Sequence, residues 1–325
     1  MTAKLAEAWS EAEGLLRRAQ RILAITHVNP DGDAIGSVMG FTLAMRQLGK
    51  TVTPACQDTP NSRNNYITGI NDMRKEGEGV YDLLVAIDAS DLQRLGSVYM
   101  PAQHARVPML VFDHHITNTE FGTVNVVEPA TSSSAEIILK LVQRMGLRLT
   151  SEVATALLTG LITDTLAFRT SNTTADTMAA ATTLMRAGAN LIEITQRSLV
   201  SKPFESIKFM AAGVLRAKVE DEVVWATVPK KLRAEMEFRE QRGDAGLVSM
   251  LAAAQEARIA VVFVENPDGA IEIGFRGQPG YDVSQVALEF GGGGHPAAAG
   301  CTLPGPMRDA VNRVLPRLRR VVREH

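Results

Sequence analysis

Through the first half of the chain, short uninterrupted apolar runs alternate with longer stretches in which apolar positions recur every three or four residues. That is the pattern of strands buried on both faces and joined by helices. The runs are Arg21 to Thr26, Leu83 to Ile87 and Met109 to Phe112, with a weaker one at Thr51 to Ala55. Helices are predicted over Ala34 to Leu48, Ser133 to Met145, Ser151 to about Ile162 and Thr174 to Ala187, and Gly49, Gly146 and Gly188 follow three of them as stop signals. An earlier amphipathic helix is marked by Leu5, Trp9, Ala12 and Leu16 at i, i+4, i+7 and i+11. The alternation predicts βαβ units and a parallel sheet.

The rhythm changes further on. Leu191 to Leu215 reads as helix or linker broken at Pro203, and strands follow at Val223 to Val228, Ile259 to Glu265 and Ile271 to Arg276. The last two are joined by Asn266-Pro267-Asp268-Gly269, a hairpin signal. A helix-like Val283 to Phe290 precedes a glycine run, and a final helix carries Arg308, Arg313, Arg317, Arg319, Arg320 and Arg323, read as a solvated face. The predicted class is α/β: a first domain over 1–190, a helical linker over 191–215 and a smaller α/β domain over 216–325.

Composition narrows the function. A chain of 325 residues, 45% hydrophobic and 22% charged, suits two folded domains. With 34 Lys and Arg against 36 Asp and Glu, there is no overall positive field to hold a long duplex, so a nucleic-acid substrate is expected to be short. Cys56 and Cys301 match no disulfide or metal spacing and read as reduced thiols. No apolar stretch reaches the roughly 18 residues of a membrane span, and Glu11 and Glu13 interrupt any leader-like segment. A cytoplasmic protein is expected.

Three of the apolar runs end in a potential metal ligand. His27 follows the first, Asp88 the second, and Asp113-His114-His115 the third. In an open parallel sheet the carboxyl ends of all strands lie along one edge, where α/β folds place their ligands, so these sequence-distant side chains converge. The loop His27-Val28-Asn29-Pro30-Asp31-Gly32-Asp33 adds two carboxylates, and Asp164 a further one. Taken alone the loop reads equally as a turn and a helix cap, as its twin at Asn266 to Gly269 does. With the other strand ends, His27, His114, Asp31, Asp33, Asp88 and Asp164 suffice for two divalent cations sharing a carboxylate. Imidazole and carboxylate without thiolate favour manganese.

The set His27…Asp31-x-Asp33, Asp88, Asp113-His114-His115 and Asp164 resembles the motifs of the DHH phosphoesterase superfamily. That superfamily includes RecJ-type exonucleases, family II pyrophosphatases and small enzymes that degrade oligoribonucleotides and 3′-phosphoadenosine 5′-phosphate. Phe290-Gly291-Gly292-Gly293-Gly294-His295-Pro296 resembles the glycine-rich signature of the DHH-associated domain in the nuclease branches, and the length is similar to the nano-RNase and pAp-phosphatase group. Two positions depart from the family pattern: a glycine is frequent at Leu166, and a serine at Gly277.

The resemblance implies one cation on His27, Asp31 and Asp88 and another on Asp33, Asp88, His114 and Asp164, together activating a water for in-line attack at phosphorus. It implies His115 as a proton or hydrogen-bond donor to the phosphate, with Asp113 orienting an imidazole. Arg276, His295 and the backbone of Gly292, Gly293 and Gly294 would hold a far phosphate in a cleft between the domains, with Arg169 and Asn172 as weaker contacts. The expected activity is manganese-dependent hydrolysis of short oligoribonucleotides to mononucleotides and of 3′-phosphoadenosine 5′-phosphate to AMP. The alternatives are a phosphodiesterase of linear or cyclic signalling dinucleotides and, from another class, a catalytically silent nucleotide sensor; a homodimer is left open.

Overall fold

A computed structural model describes residues 2–236, 238 and 243–324. The chain folds as two units, Met1–Ser201 and Lys202–His325.

The first unit is built on a five-stranded, all-parallel sheet of order β2-β1-β3-β4-β5. Its strands are β1 (Arg21–Ile25), β2 (Thr51–Ala55), β3 (Leu83–Ile87), β4 (Met109–Asp113) and β5 (Val124–Val127). Every residue of β3 and β4 is buried, as continuous apolar runs require when both faces of a sheet are covered. Helices α1 (Ala3–Arg18), α2 (Gly32–Arg46), the one-turn α3 (Pro101–His104), α4 (Ser134–Arg144), α5 (Ser151–Asp164), α6 (Ala175–Arg186) and α7 (Leu191–Thr195) complete it. Strand β2 lies on one side of β1 and β3 on the other, so the sheet changes direction between β1 and β3. A ligand crevice belongs at that point.

Trp9 of α1 and Phe41 of α2 both pack on Phe112 of β4, with ring centroids 5.8 and 6.4 Å apart. Helix α2 is buried almost all round because α5 lies close against it: a Cβ on Gly36 would sit 2.4 Å from the Ala156 carbonyl oxygen. The strand β5 was not among the predicted elements; its four residues are too few to show a period.

The second unit is a six-stranded sheet of order β10-β11-β9-β8-β7-β6, antiparallel except for the parallel β7–β8 pair. The strands are β6 (Lys218–Glu220), β7 (Val223–Val228), β8 (Ile259–Glu265), β9 (Ile271–Gly277), β10 (Gly293–His295) and β11 (Ala298–Leu303). Its helices are α8 (Phe204–Val214), α9 (Lys230–Glu235), α10 (Leu247–Leu251), α11 (Ser284–Glu289) and α12 (Met307–Arg323). One face of the sheet shares a core with α11 and α12, the other with α8 and α10. The arginines of α12 are largely paired: Arg317 with Glu289, Arg319 with Glu220 and Asp221, and Arg320 with Glu324. Half of the glycine run is strand, not loop: Gly293 and Gly294 pair with Gly300 and Ala299.

Among the described residues no helix is long and apolar enough to cross a membrane.

Candidate metal centre

Each strand end delivers its side chain by a different local device. His27 lies two residues past β1, and its Nδ1 donates to the Val28 carbonyl at 2.8 Å, which leaves the Nε2 lone pair facing the sheet edge. Asp88 directly follows β3 with φ of 62°, a left-handed conformation an aspartate tolerates better than most residues. Asp31 caps α2, its Oδ1 accepting from the N–H groups of Asp33 and Ala34, while Asp33 points inward from the first turn. Asp164 is the last residue of α5.

These placements bring the predicted ligands together. His27 Nε2 lies 3.6 Å from Asp88 Oδ2 and 4.0 Å from Asp31 Oδ1. His114 Nε2 lies 3.6 Å from Asp88 Oδ1, 3.8 Å from Asp164 Oδ2 and 4.0 Å from Asp33 Oδ2. Such separations are too long for hydrogen bonds. They suit a shared ion, because two donors each about 2.1 Å from one cation can be at most about 4.2 Å apart. Two donor sets, His27/Asp31/Asp88 and Asp33/His114/Asp164, each have ligand atoms within 4.8 Å of one another, and Asp88, His114 and His115 form a third. Asp88 turns Oδ2 to His27 and Oδ1 to His114, the disposition of a bridging carboxylate. The donor chemistry fits divalent cations.

The electrostatics lead to the same fit. Asp33 and Asp88 are almost wholly buried. Burial first, and then the charges of Asp88, Asp164 and Asp31, push the Asp33 carboxyl well above the usual carboxylate range. Asp164 is pushed up to about 6 by burial, with the His114 ring opposing and Asp88 and Asp31 adding to the rise. Burial opposes the Asp88 charge too, but the contact with His27 and the His114 and His115 rings outweigh it and hold that carboxyl well below its ordinary value. Carboxylates crowded out of water in this way repel one another, and cations relieve the repulsion.

Behind the cluster, Asp113 is fully buried and accepts from His115 Nδ1 at 2.7 Å, from the His114 N–H at 2.9 Å and from Asn118 Nδ2 at 2.6 Å. Burial works against a charged His115, but the Asp113 hydrogen bond and the charges of Asp88, Asp113 and Asp164 prevail and push its pKa up to about 9.

Several residues that hold the ligands carried no sequence signal. The amino end of α4 faces Asp33: the N–H groups of Ser134 and Ala135 donate to its Oδ2 and Oδ1 at 2.7 and 3.0 Å, and Ser37 Oγ donates to Oδ1 at 2.9 Å. Ser134 Oγ donates to Asp88 Oδ1 at 2.9 Å. Helix amino termini stabilise negative charge, so this arrangement keeps Asp33 in place against its neighbours.

The expected substrate contacts are placed less uniformly. Asn172 is committed within the fold, its Nδ2 donating to the Ser132 carbonyl at 3.0 Å and its Oδ1 accepting from Thr170 at 2.5 Å. Arg169 Nε donates to the Leu166 carbonyl at 2.8 Å. Leu166, Ala167 and Phe168 all have positive φ, a conformation that glycine adopts without strain. In the second unit Arg276 is partly buried, which lowers its guanidinium pKa, and its Nη1 donates to the Phe275 carbonyl. Gly277 has no room for a Cβ, which would lie 2.3 Å from the Tyr281 carbonyl oxygen, so a serine there would force the following loop to move. Gly292 and Gly294 are closed in by β11, whereas a Cβ on Gly293 would meet nothing within 4 Å. The side chain of His295 lies outside the described residues.

A parallel sheet whose switch point gathers carboxylates and imidazoles placed to hold divalent cations is the arrangement of a metal-dependent hydrolase. Residues 21–161 match the DHH family, N-terminal domain, and residues 232–324 the DHHA1 domain. The chain is 32% identical over 314 residues to the bifunctional oligoribonuclease and PAP phosphatase NrnA of Thermus thermophilus, covering 92% of this chain and 89% of that one. It is 25% identical over 309 residues to the protein of the same name from Mycoplasma pneumoniae, covering 94% of each. The fold is that of an exopolyphosphatase-related protein from Bacteroides fragilis, with a TM-score of 0.91, 21% identity and 98% of each chain covered. The chain belongs to the DHH family of phosphoesterases and carries its DHHA1 domain.

Proposed function

We propose that the protein is a cytoplasmic, manganese-dependent phosphoesterase that hydrolyses short oligoribonucleotides to mononucleotides and 3′-phosphoadenosine 5′-phosphate to AMP. The observation that carries the reading is the pair of donor sets joined through Asp88, which faces His27 of one and His114 of the other, and the likeness to relatives named for these two activities supports the choice of substrate. His27, Asp31 and Asp88 would hold one cation, and Asp33, Asp88, His114 and Asp164 the other. When bound, two such cations supply Lewis acidity at phosphorus and make water a competent nucleophile near neutral pH. Manganese suits the mixture of imidazole and carboxylate donors.

The chain's own groups do the rest. His115, hydrogen-bonded through Nδ1 to Asp113, would be the group that donates to a non-bridging phosphate oxygen or to the departing oxygen as the P–O bond breaks. In the second unit, Arg276 and the open backbone at Gly293 are the groups that would contact a substrate phosphate.

The test is release of mononucleotide and phosphate by metal-stripped protein resupplied with manganese, offered an RNA dinucleotide, a long RNA, a cyclic dinucleotide and 3′-phosphoadenosine 5′-phosphate. Rapid turnover of the dinucleotide and the bisphosphate, abolished in Asp88→Asn and shifted mainly in KM by Arg276→Ala, is expected. Turnover of the cyclic dinucleotide alone would replace this reading with a signalling phosphodiesterase, and binding without turnover with a nucleotide sensor.

A further inference from the structure

Glu136 is a buried carboxylate, 4% exposed, that the hydrolytic chemistry does not use. It stands three residues after Ser133, the residue that caps α4, where a glutamate ordinarily reaches back to the N–H of the capping residue itself. Here it reaches further. Its Oε2 accepts from both the N–H and the hydroxyl of Ser132, at 3.3 and 3.1 Å, and from Thr177 Oγ1 at 3.4 Å. The Ser132 carbonyl is held in turn by Asn172. The turn pinned at Ser132 goes on to deliver the Ser134 N–H to Asp33 and the Ser134 hydroxyl to Asp88, one residue from each of the two donor sets.

We propose that Glu136 is a positioning residue for the cation pair. By fixing Ser132 it sets the angle at which Ser134 and Ala135 meet Asp33 and Asp88, and so which carboxylate lone pairs remain directed at the cations. Partners one step behind metal ligands typically affect metal affinity or activity by about 10–100-fold when removed. Lys140 completes the arrangement: its Nζ lies 3.7 Å from Glu136 Oε1 and 2.8 Å from Glu128 Oε2, which keeps the glutamate's second oxygen turned away from the turn.

The proposal rests on the cation-binding reading of the cluster, and the test separates the two. Manganese affinity is measured by calorimetry on stripped protein, alongside kcat and KM for an RNA dinucleotide. If wild type binds no manganese, the reading of the cluster fails. If wild type binds it, Glu136→Ala is expected to weaken manganese binding and to lower kcat by about 10-fold or more with KM nearly unchanged, and Glu136→Gln, which keeps one acceptor oxygen, to recover part of both. Ser132→Ala removes the hydroxyl half of the same contact and leaves the N–H, and supports the test if Glu136→Ala does not fold; it should weaken manganese binding severalfold. Combined with Glu136→Gln it should cost less than the sum of the two, because both act through one contact. A melting temperature that falls in these variants while manganese affinity and kcat of the folded protein stay at wild-type values would reduce Glu136 to a fold-stabilising residue and overturn the proposal.

Discussion

Gly160 of α5 lies where the scaffold and the metal centre share one wall. A Cβ added there would stand 2.5 Å from Asp33 Oδ1 and 2.8 Å from the Ala135 Cβ, both inside van der Waals contact. Gly160→Ala gains roughly 1 kcal/mol of helix propensity. Against this, overpacking a filled site costs about 1–3 kcal/mol. Displacing Asp33 Oδ1 also weakens its hydrogen bonds from Ser37 and Ala135, each worth about 0.5–1.5 kcal/mol. The net is a loss of roughly 2–4 kcal/mol, and at about 2–4 °C per kcal/mol for a unit of this size the melting temperature falls by about 5–15 °C. Gly14→Ala is the matched control: it is also inside a helix, but its Cβ meets only the end of the Arg18 side chain at 3.3 Å, so the same substitution should stabilise by up to about 1 kcal/mol. The assay is thermal unfolding of both variants with and without manganese. Gly160→Ala should also lose most of the stabilisation that manganese gives the wild type. If it melts with or above Gly14→Ala and responds to manganese as wild type does, the close packing of α5 on Asp33 is not what holds the ligand.

Leu166→Gly should raise stability by about 0.5–1 kcal/mol in a denaturant titration, since a left-handed leucine costs about 1–2 kcal/mol and the added chain entropy returns only part of that; a lower midpoint would contradict the strain. Gly293→Ala should leave the melting temperature unchanged and raise KM for short RNA, while Gly292→Ala, whose Cβ would fall 2.1 Å from the Gly300 carbonyl oxygen, should unfold the second unit first; equal effects of the two would remove the reason for an open backbone at Gly293. Buried His104 accepts from the Met100 N–H through Nδ1 and donates to the Gly77 carbonyl through Nε2, and its pKa is lowered from 6.5 by burial. The unfolded chain therefore takes up a proton that the folded one resists, so this stabilising contribution is complete above pH 6.5 and lost as pH falls below it; His104→Gln should flatten that part of the stability profile measured by denaturant titration between pH 7.5 and 5.5.

The strands that carry the ligands were legible because burial on both faces writes itself as a continuous apolar run. The edges of β1, β3 and β4 fall within one residue of the runs read from the sequence. That the ligands converge followed from a parallel sheet alone. What was not legible depends on groups every residue possesses. The N–H donors of Ser134 and Ala135 look the same in any sequence, and their importance comes from Asp33 lying about a hundred positions away. Asn172, read as a substrate contact, is engaged by Ser132 and Thr170, a pairing no local pattern announces. The left-handed turn at Leu166 to Phe168 was hidden for the opposite reason: its residues are those that ordinarily avoid that conformation.

Every side chain in the three donor sets comes from the first unit, on or next to strands and helices packed in that unit's own hydrophobic core. Inheritance can therefore treat the two halves differently. A substitution on the second sheet replaces none of these donors, whereas one in α4 or α5 falls among the residues that hold Asp33 and Asp88.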